Sequence, residues 1–270
     1  MILANFHSHT TFCDGKSTPE EMVETALSLG MFALGFSGHA YIEYDGTTGM
    51  DAATTAAYRQ EVLRLKEKYK DKINIFLGIE LDGYSPAPDY PYDYRIGSVH
   101  GIMVDGQYMA VDYREDFSNE TVKNCFGGDY YAYCEEYYRA ETLLAPKYNP
   151  DIIGHFDLVT KFNENNKYFD ESHPRYRKAA LDSLEILMKL GKPFEINTGA
   201  ISRGYRQTPY PAPFLLKAIH DMGGSIILSS DCHSKEGLLC NFEEATDMAK
   251  RCGFTTALVL TPDGFKEASL

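Results

Sequence analysis

No apolar run in the 270 residues reaches the length needed to cross a bilayer as a helix. The opening Met1-Ile2-Leu3-Ala4-Asn5-Phe6-His7 lacks the basic and apolar regions of a secretory signal. A soluble, cytoplasmic protein without a membrane partner is the expectation. Cysteine is sparse: Cys13, Cys125, Cys134, Cys232, Cys240 and Cys252 are scattered, without the close spacing of a disulfide framework or a zinc knuckle. They are expected to be reduced, and Cys13 and Cys232, near other metal-binding residue types, read as small buried hydrophobes. Basic residues are too few to track a nucleic-acid backbone: 26 Lys and Arg face 39 Asp and Glu, a net charge of −13. Small substrates fit better, and part of the acidity is explained if Asp and Glu surround cations. A Pro/Ser-rich linker, a charge run, an internal repeat and a low-complexity stretch are all missing, so residues 1–270 read as one domain, with 44% hydrophobic residues for its core.

What is present is alternation. β-type runs cover 2–6, 32–37, 73–79, 94–99, 151–156, 193–197, 225–230 and 255–260, with amphipathic helical segments between most of them. Thr18-Pro19-Glu20-Glu21 supplies an N-cap, a proline in the first helical turn and a capping-box glutamate, opening a helix that ends near Gly30. Helices over 176–190, 212–222 and 242–252 stop at Gly191, Gly223-Gly224 and Gly253. The tyrosine-rich stretch 130–138 reads as a helix packing its rings into the core or its rim. Strand-helix alternation predicts an α/β fold with parallel strands, either a barrel or a doubly wound sheet. Chemically active residues follow almost every strand, which favours the barrel.

Six of the eight histidines, His7, His9, His39, His100, His155 and His233, fall at or just beyond a strand-like run, accompanied by Glu80 and Asp231. One such histidine alone is more often a satisfied core or loop residue; the whole set is not explained that way. His7 and His9 point to the same side of an extended chain and can share a metal. Imidazole and carboxylate together suit Zn, Mn, Fe or Co rather than Ca or Mg, and the ligand count exceeds that of one catalytic zinc. At least two ions are expected, with Glu80 or Asp231 free to bridge them, and a multi-metal hydrolase is the natural use. His173 and His220 lie outside the pattern, and the glycine pairs Gly127-Gly128 and Gly223-Gly224 read as turns or caps.

Through His7-Ser8-His9-Thr10, Asp14, Ser37-Gly38-His39, Gly78-Ile79-Glu80, Ser98-Val99-His100, Gly154-His155 and Ser230-Asp231-Cys232-His233, the sequence resembles the PHP (polymerase and histidinol phosphatase) family. Gly154 to Asn163 and Glu195-Ile196-Asn197-Thr198 most resemble its stand-alone histidinol-phosphatase branch. The resemblance implies a distorted (β/α)7 TIM-like barrel, a metal site at the C-terminal ends of the strands, and two or three divalent ions, zinc, iron or manganese. It implies His7, His9, Glu80 and Asp231 on one metal, Glu80, His100 and His155 on a second, and His39 with His233 on a third, which Asp14 reaches directly or through water. The 255–260 run would be a peripheral strand.

The implied reaction is hydrolysis of a small phosphate ester, L-histidinol phosphate giving L-histidinol and phosphate in histidine biosynthesis. Glu80, Asp231 and His233 would be its catalytic groups, the last two assisting the leaving alkoxide. Phosphate recognition calls for guanidinium forks, and the loop after strand six offers Arg203 and Arg206, with Arg203 favoured. Relatives often carry an arginine where this chain has Thr160-Lys161, so Lys161 would meet phosphate as a point charge. Phe12, Tyr41, Glu43 and Asp82 are candidates to receive a cationic imidazole. The alternatives are a phosphatase for another phosphomonoester, a nucleotide phosphodiesterase or exonuclease, and a non-catalytic metal-binding module.

Overall fold

Runs of β-branched and aromatic residues alternate with helices, several of them stopping at a glycine (Gly30, Gly191, Gly223 and Gly253), and this alternation sets the element order. The computed structural model describes residues 2–44 and 48–270, with the backbone alone described at 144–146. The chain opens with β1 (Ala4–Asn5), α1 (Pro19–Ser28), β2 (Ala33–Phe36), α2 (Ala52–Lys68), β3 (Asn74–Asp82) and β4 (Tyr94–Ser98). A hairpin of β5 (Gly101–Val104) and β6 (Gln107–Ala110) precedes α3 (Glu115–Cys125), α4 (Tyr130–Tyr148) and β7 (Ile152–Ile153). The rest comprises α5 (Pro174–Met188), β8 (Phe194–Asn197), α6 (Gly199–Ser202), α7 (Pro213–Asp221), β9 (Ile226–Ser229), α8 (Phe242–Arg251), β10 (Thr256–Thr261) and β11 (Gly264–Ser269).

The main sheet runs β1-β2-β3-β4-β7-β8-β9-β10-β11, parallel at every pairing except the last. This is the α/β fold expected from the alternation, with a mostly parallel sheet. The segments that follow β1 and β9 meet in a parallel bridge, Ser8 with Cys232, where His9 N–H donates to the Cys232 carbonyl at 2.8 Å. Asn5 strengthens that junction, donating from Nδ2 to Ser230 Oγ (2.8 Å) and accepting from Ser230 N (3.0 Å).

Several strands are shorter than the sequence runs, because polar side chains take over the backbone bonds. Ser8 N donates to Ser37 Oγ (3.0 Å), and His155 N donates to the Glu195 carboxylate (3.0 Å), so the runs 2–6 and 151–156 reduce to Ala4–Asn5 and Ile152–Ile153. The 255–260 run is an outlying strand beside β9 and acquires an antiparallel partner, β11. That partner and the β5–β6 hairpin were absent from the sequence reading, although both have turn signals. Asp105-Gly106 takes positive φ at both residues, as a tight two-residue hairpin turn requires, and Pro262-Asp263 links β10 to β11.

Tyr94 is fully buried and lies across β2 and β3, where a Cβ on Gly35 or Gly78 would come within 2.4 or 2.2 Å of its ring system. Only glycine admits that close approach. The Tyr94 hydroxyl donates to the Phe6 carbonyl at 2.5 Å, so the ring's polar end is satisfied too. On the outside, α4 buries Tyr133, Tyr137 and Tyr138, and Tyr138 shares a 2.9 Å hydroxyl hydrogen bond with Tyr176 of α5. The tyrosine-rich stretch is thus core. Among the described residues, no helix is long and apolar enough to cross a membrane.

Candidate metal centre

The C-terminal ends of the parallel strands deliver the expected side chains to one place. His7 and His9 follow β1, His39 follows β2, Glu80 lies in β3, His100 and His155 follow β4 and β7, and Asp231 and His233 follow β9. Asp231 has φ of 47°, a left-handed backbone that aspartate tolerates better than most residues and that marks strained, functional positions.

Glu80 is the hub. Its Oε1 lies 3.2 Å from His155 Nε2 and 3.3 Å from His100 Nε2, while Oε2 lies 2.9 Å from His39 Nδ1 and 3.2 Å from His7 Nε2. Asp231 Oδ1 is 3.2 Å from His9 Nε2 and 3.7 Å from His7 Nε2. Asp14 faces His233 Nε2 at 3.1 Å and His9 and His39 at 3.7 Å each. Four overlapping sets of donor atoms therefore fall within 4.8 Å of one another: His9, Asp14, His39 and His233; His7, Glu80 and His155; His7, His9 and Asp231; and His39, Glu80 and His100. The structure brings all nine expected residues together. It draws His39 closer to Glu80 and His100 than the expected grouping did. Neither Cys13 nor Cys232 belongs to these sets.

Three atoms test whether cations fit. His7 Nε2, His9 Nε2 and Glu80 Oε2 are buried, have no hydrogen-bond partner among the described residues, and lie 3.2–3.5 Å apart in the His7–Glu80 and His9–Glu80 pairs. Buried polar atoms are nearly always paired, and lone pairs converging without hydrogen bonds are what a shared cation satisfies. The donor set fits divalent metal.

The electrostatics agree. Burial drives the Glu80 carboxyl up, but His7, His100 and His39 outweigh it and hold the group well below the usual carboxylate range. Burial disfavours a proton on His7, yet Glu195, Glu80 and Asp231 raise it well above the usual imidazole value. A proton and a cation compete for the same Nε2. His9, buried and facing His39 and His233, is pushed down to about 3 and stays neutral.

Behind the donors stand residues to which the sequence reading gave no role at the metals. His7 Nδ1 meets Glu195 Oε1 at 2.7 Å, which leaves Nε2 as the lone pair facing Glu80. The other Glu195 oxygen accepts from Asn197 Nδ2 at 2.8 Å as well as from His155 N. Its sequence signals were an acidic residue inside the apolar strand β8 and its place in the family-like segment Glu195-Ile196-Asn197-Thr198. Asp82 accepts from His100 N at 2.8 Å and is buried, so it supports the site rather than receiving a substrate.

A cavity of about 490 Å³ opens from the centre, and Asp14, His39, His100, His155, Asp231 and His233 are among the residues that line it. Lys161 and Arg203 line it as well. The Arg203 guanidinium donates to the Asp231 carbonyl (2.8 Å), to Asp231 Oδ2 (3.1 Å) and to His233 Nδ1 (2.9 Å), so it is not a freely solvated surface arginine. Arg206 differs from the expectation. It is absent from the cavity wall; Nη1 donates to the Thr160 carbonyl at 2.8 Å and the guanidinium lies 5.5 Å over the Tyr210 ring. The expected imidazole wall also changes, since Phe12, Tyr41, Glu43 and Asp82 do not line the cavity, whereas Tyr44, Tyr108, Tyr113, Phe117 and Tyr205 do. His173 caps α5, accepting from Arg175 N at 3.2 Å, and His220 sits in the last turn of α7, both remote from the donor sets.

The chain is similar to several known proteins. The sequence pattern of the PHP domain matches residues 5–199. A probable histidinol-phosphatase of Schizosaccharomyces pombe is 26% identical over 96% of this chain and 90% of its own length. The histidinol-phosphatase of Bacillus subtilis is 28% identical over 84% of this chain and 92% of its own. The crystal structure of a histidinol phosphate phosphatase of Lactococcus lactis, complexed with zinc, L-histidinol and phosphate, superposes with a TM-score of 0.73 at 22% identity, covering 97% of this chain and 98% of that one. With the domain pattern spanning most of its length, this chain belongs to the PHP family.

Proposed function

We propose that the protein is a metal-dependent phosphomonoesterase that hydrolyses L-histidinol phosphate to L-histidinol and phosphate. The observation that carries this reading is the convergence of six histidines, Asp14, Glu80 and Asp231 beside a cavity lined by Arg203 and Lys161. The relatives named above are called histidinol-phosphatases over nearly their whole length, which supports the choice of substrate.

Two or three ions of zinc, iron or manganese are assigned to the donor sets. His7, His9, Glu80 and Asp231 would hold one, Glu80, His100 and His155 a second, and His39, His233 and Asp14 a third. Divalent ions in such a site lower the pKa of water and take up charge on the phosphoryl oxygens. Arg203 presents a fork already oriented by Asp231 and His233, so it can meet a phosphoryl oxygen without a search through rotamers. Lys161 adds a point charge, and Asp231 and His233 are the groups we place beside the leaving oxygen. β1–β4 and β7–β9 are read as a distorted seven-stranded barrel closed through the Ser8–Cys232 bridge, in one domain over 1–270; the bridge supports the closure. Six unpaired cysteines suit the reducing cytoplasm.

A second reading keeps the chemistry and changes the ester. Lys161 offers one charge where related chains often have a bidentate guanidinium, which would suit another small phosphomonoester. Acidity counts against a nucleic-acid substrate. The test is phosphate release from L-histidinol phosphate, sugar and amino-alcohol phosphates and a phosphodiester, with and without chelation. Chelator-sensitive turnover led by L-histidinol phosphate is the expected result. Preference for another monoester would replace the substrate, and no turnover by metal-loaded protein would overturn the enzyme in favour of a binding module.

A further inference from the structure

Two chemically different sets of side chains line the cavity: imidazoles with Arg203, and an aromatic wall of Tyr44, Tyr108, Tyr113, Phe117 and Tyr205. Tyr108 and Tyr113 of that wall come from the segment between β5 and α3, and Phe117 from α3 itself. Within the hairpin, a Cβ on Gly101 would lie 2.3 Å from the Tyr108 ring, so glycine there lets the ring fold across.

Among the described residues, three carboxylates line the cavity: Asp14, Asp112 and Asp231. Asp14 faces His233, and Asp231 is tied to His9 and Arg203. Asp112 differs in belonging to none of the metal-donor sets. It lies next to Tyr113 in the chain, and its partner is Lys161, whose ammonium meets its carbonyl at 2.6 Å and Oδ2 at 3.3 Å. The same ammonium sits 4.9 Å over the Tyr205 ring and 5.5 Å over that of Phe162. One anion and one cation are thus held together at the junction of the aromatic wall and the site.

We propose that Asp112 is the specificity-determining residue for the leaving group, receiving the cationic nitrogen of an amino-alcohol phosphate against the aromatic wall while Lys161 turns to its phosphate. The proposal rests on the phosphomonoesterase reading above and deepens it. The substrate brings one group of each sign, so the resting Lys161–Asp112 pair is exchanged for two new pairs and no partly buried charge is left alone. An aromatic wall adds attraction for the same cation. A phosphate ester with a neutral leaving group also draws Lys161 to its phosphate but offers no partner to Asp112, which is then left without its cation.

The test compares Asp112→Asn with wild type on L-histidinol phosphate and on glycerol phosphate, with metal content and thermal melting measured in parallel. The expected result is a fall in kcat/KM for L-histidinol phosphate on the order of tenfold to hundredfold, mostly in KM, as for loss of a hydrogen bond to a charged group. Glycerol phosphate turnover should stay near its wild-type value. Lys161→Met should depress both substrates by similar factors. Equal losses on both substrates in Asp112→Asn, or no loss on either, would overturn the role, because Asp112 would then only hold Lys161 or do nothing. If wild type releases phosphate from neither ester, the phosphomonoesterase reading falls and takes this one with it. Should Asp112→Asn fail to fold, inhibition of wild-type glycerol phosphate turnover decides: L-histidinol should inhibit at a concentration at least about tenfold below that of uncharged glycerol, and equal potency would overturn the proposal.

Discussion

Glu80 shows how one side chain organises a site. Its Oε1 accepts from Ser98 Oγ at 2.7 Å and faces His100 and His155, while Oε2 faces His7, His9 and His39. A carboxylate with two differently directed oxygens is the group that can serve two cations at once. The orientation of His7 depends on Glu195, because an imidazole bonded at Nδ1 has Nε2 free for a metal. Replacing Glu195 by Gln should weaken metal retention by roughly 10–100-fold, the usual cost of losing such a supporting carboxylate. Competition with a chromophoric chelator measures this directly, and unchanged affinity would show that His7 is oriented by packing alone.

Among the elements, α1 illustrates a local signal carried through to the structure. Thr18 Oγ1 accepts from Glu21 N at 3.3 Å and the Glu21 carboxylate accepts from Thr18 N at 2.9 Å, a reciprocal cap followed by Pro19. Thr18→Ala should cost about 1 kcal/mol, read as a lower urea midpoint with an unchanged slope. In α4, Glu141 is buried and accepts from the Tyr137 hydroxyl at 2.9 Å. Burial pushes its carboxyl well above the ordinary 4.5, and the Tyr137 hydrogen bond only partly opposes that. The native state therefore keeps a proton that the unfolded chain gives up. Glu141 makes stability fall as pH rises from 4.5 towards the raised native value, with its full contribution present only below 4.5. Glu141→Gln should flatten that slope and stabilise the protein at neutral pH, as shown by the difference between variant and wild-type urea midpoints across about pH 5 to 8. Parallel slopes would mean that Glu141 ionises in the folded state.

For the whole molecule, the site joins strands from both ends of the chain. His7 and Asp231 lie within 3.7 Å although more than two hundred residues separate them, and Asn5 bonds to Ser230 across the same junction. Cations held there bind the folded chain alone and so stabilise it, by about 4 kcal/mol when present at a thousandfold excess over their dissociation constant. Chelation should lower the melting temperature by several degrees and added zinc should restore it. A melting temperature indifferent to chelation would mean that the centre is fully formed without metal.

The donor residues were legible in the sequence because parallel α/β chains place functional groups at strand ends, and His7, His9, His39, Glu80, His100, His155, Asp231 and His233 mark those ends one by one. The α1 cap was equally local, since Thr18 and Glu21 lie within one helical turn. Other features depended on contacts between distant segments. Glu195 acquires its role by facing His7, 188 residues away, and Arg206 leaves the cavity because Thr160 and Tyr210 capture its guanidinium. Asp112, Tyr108 and Tyr113 of the cavity wall come from a hairpin and its following loop, whose position no periodicity encodes. Residue type and strand phase by themselves determined which groups can bind metal. Which carboxylate orients a histidine, which cation faces the cavity and what wall receives a substrate were decided only by tertiary structure, because each depends on a partner brought near by folding rather than by sequence.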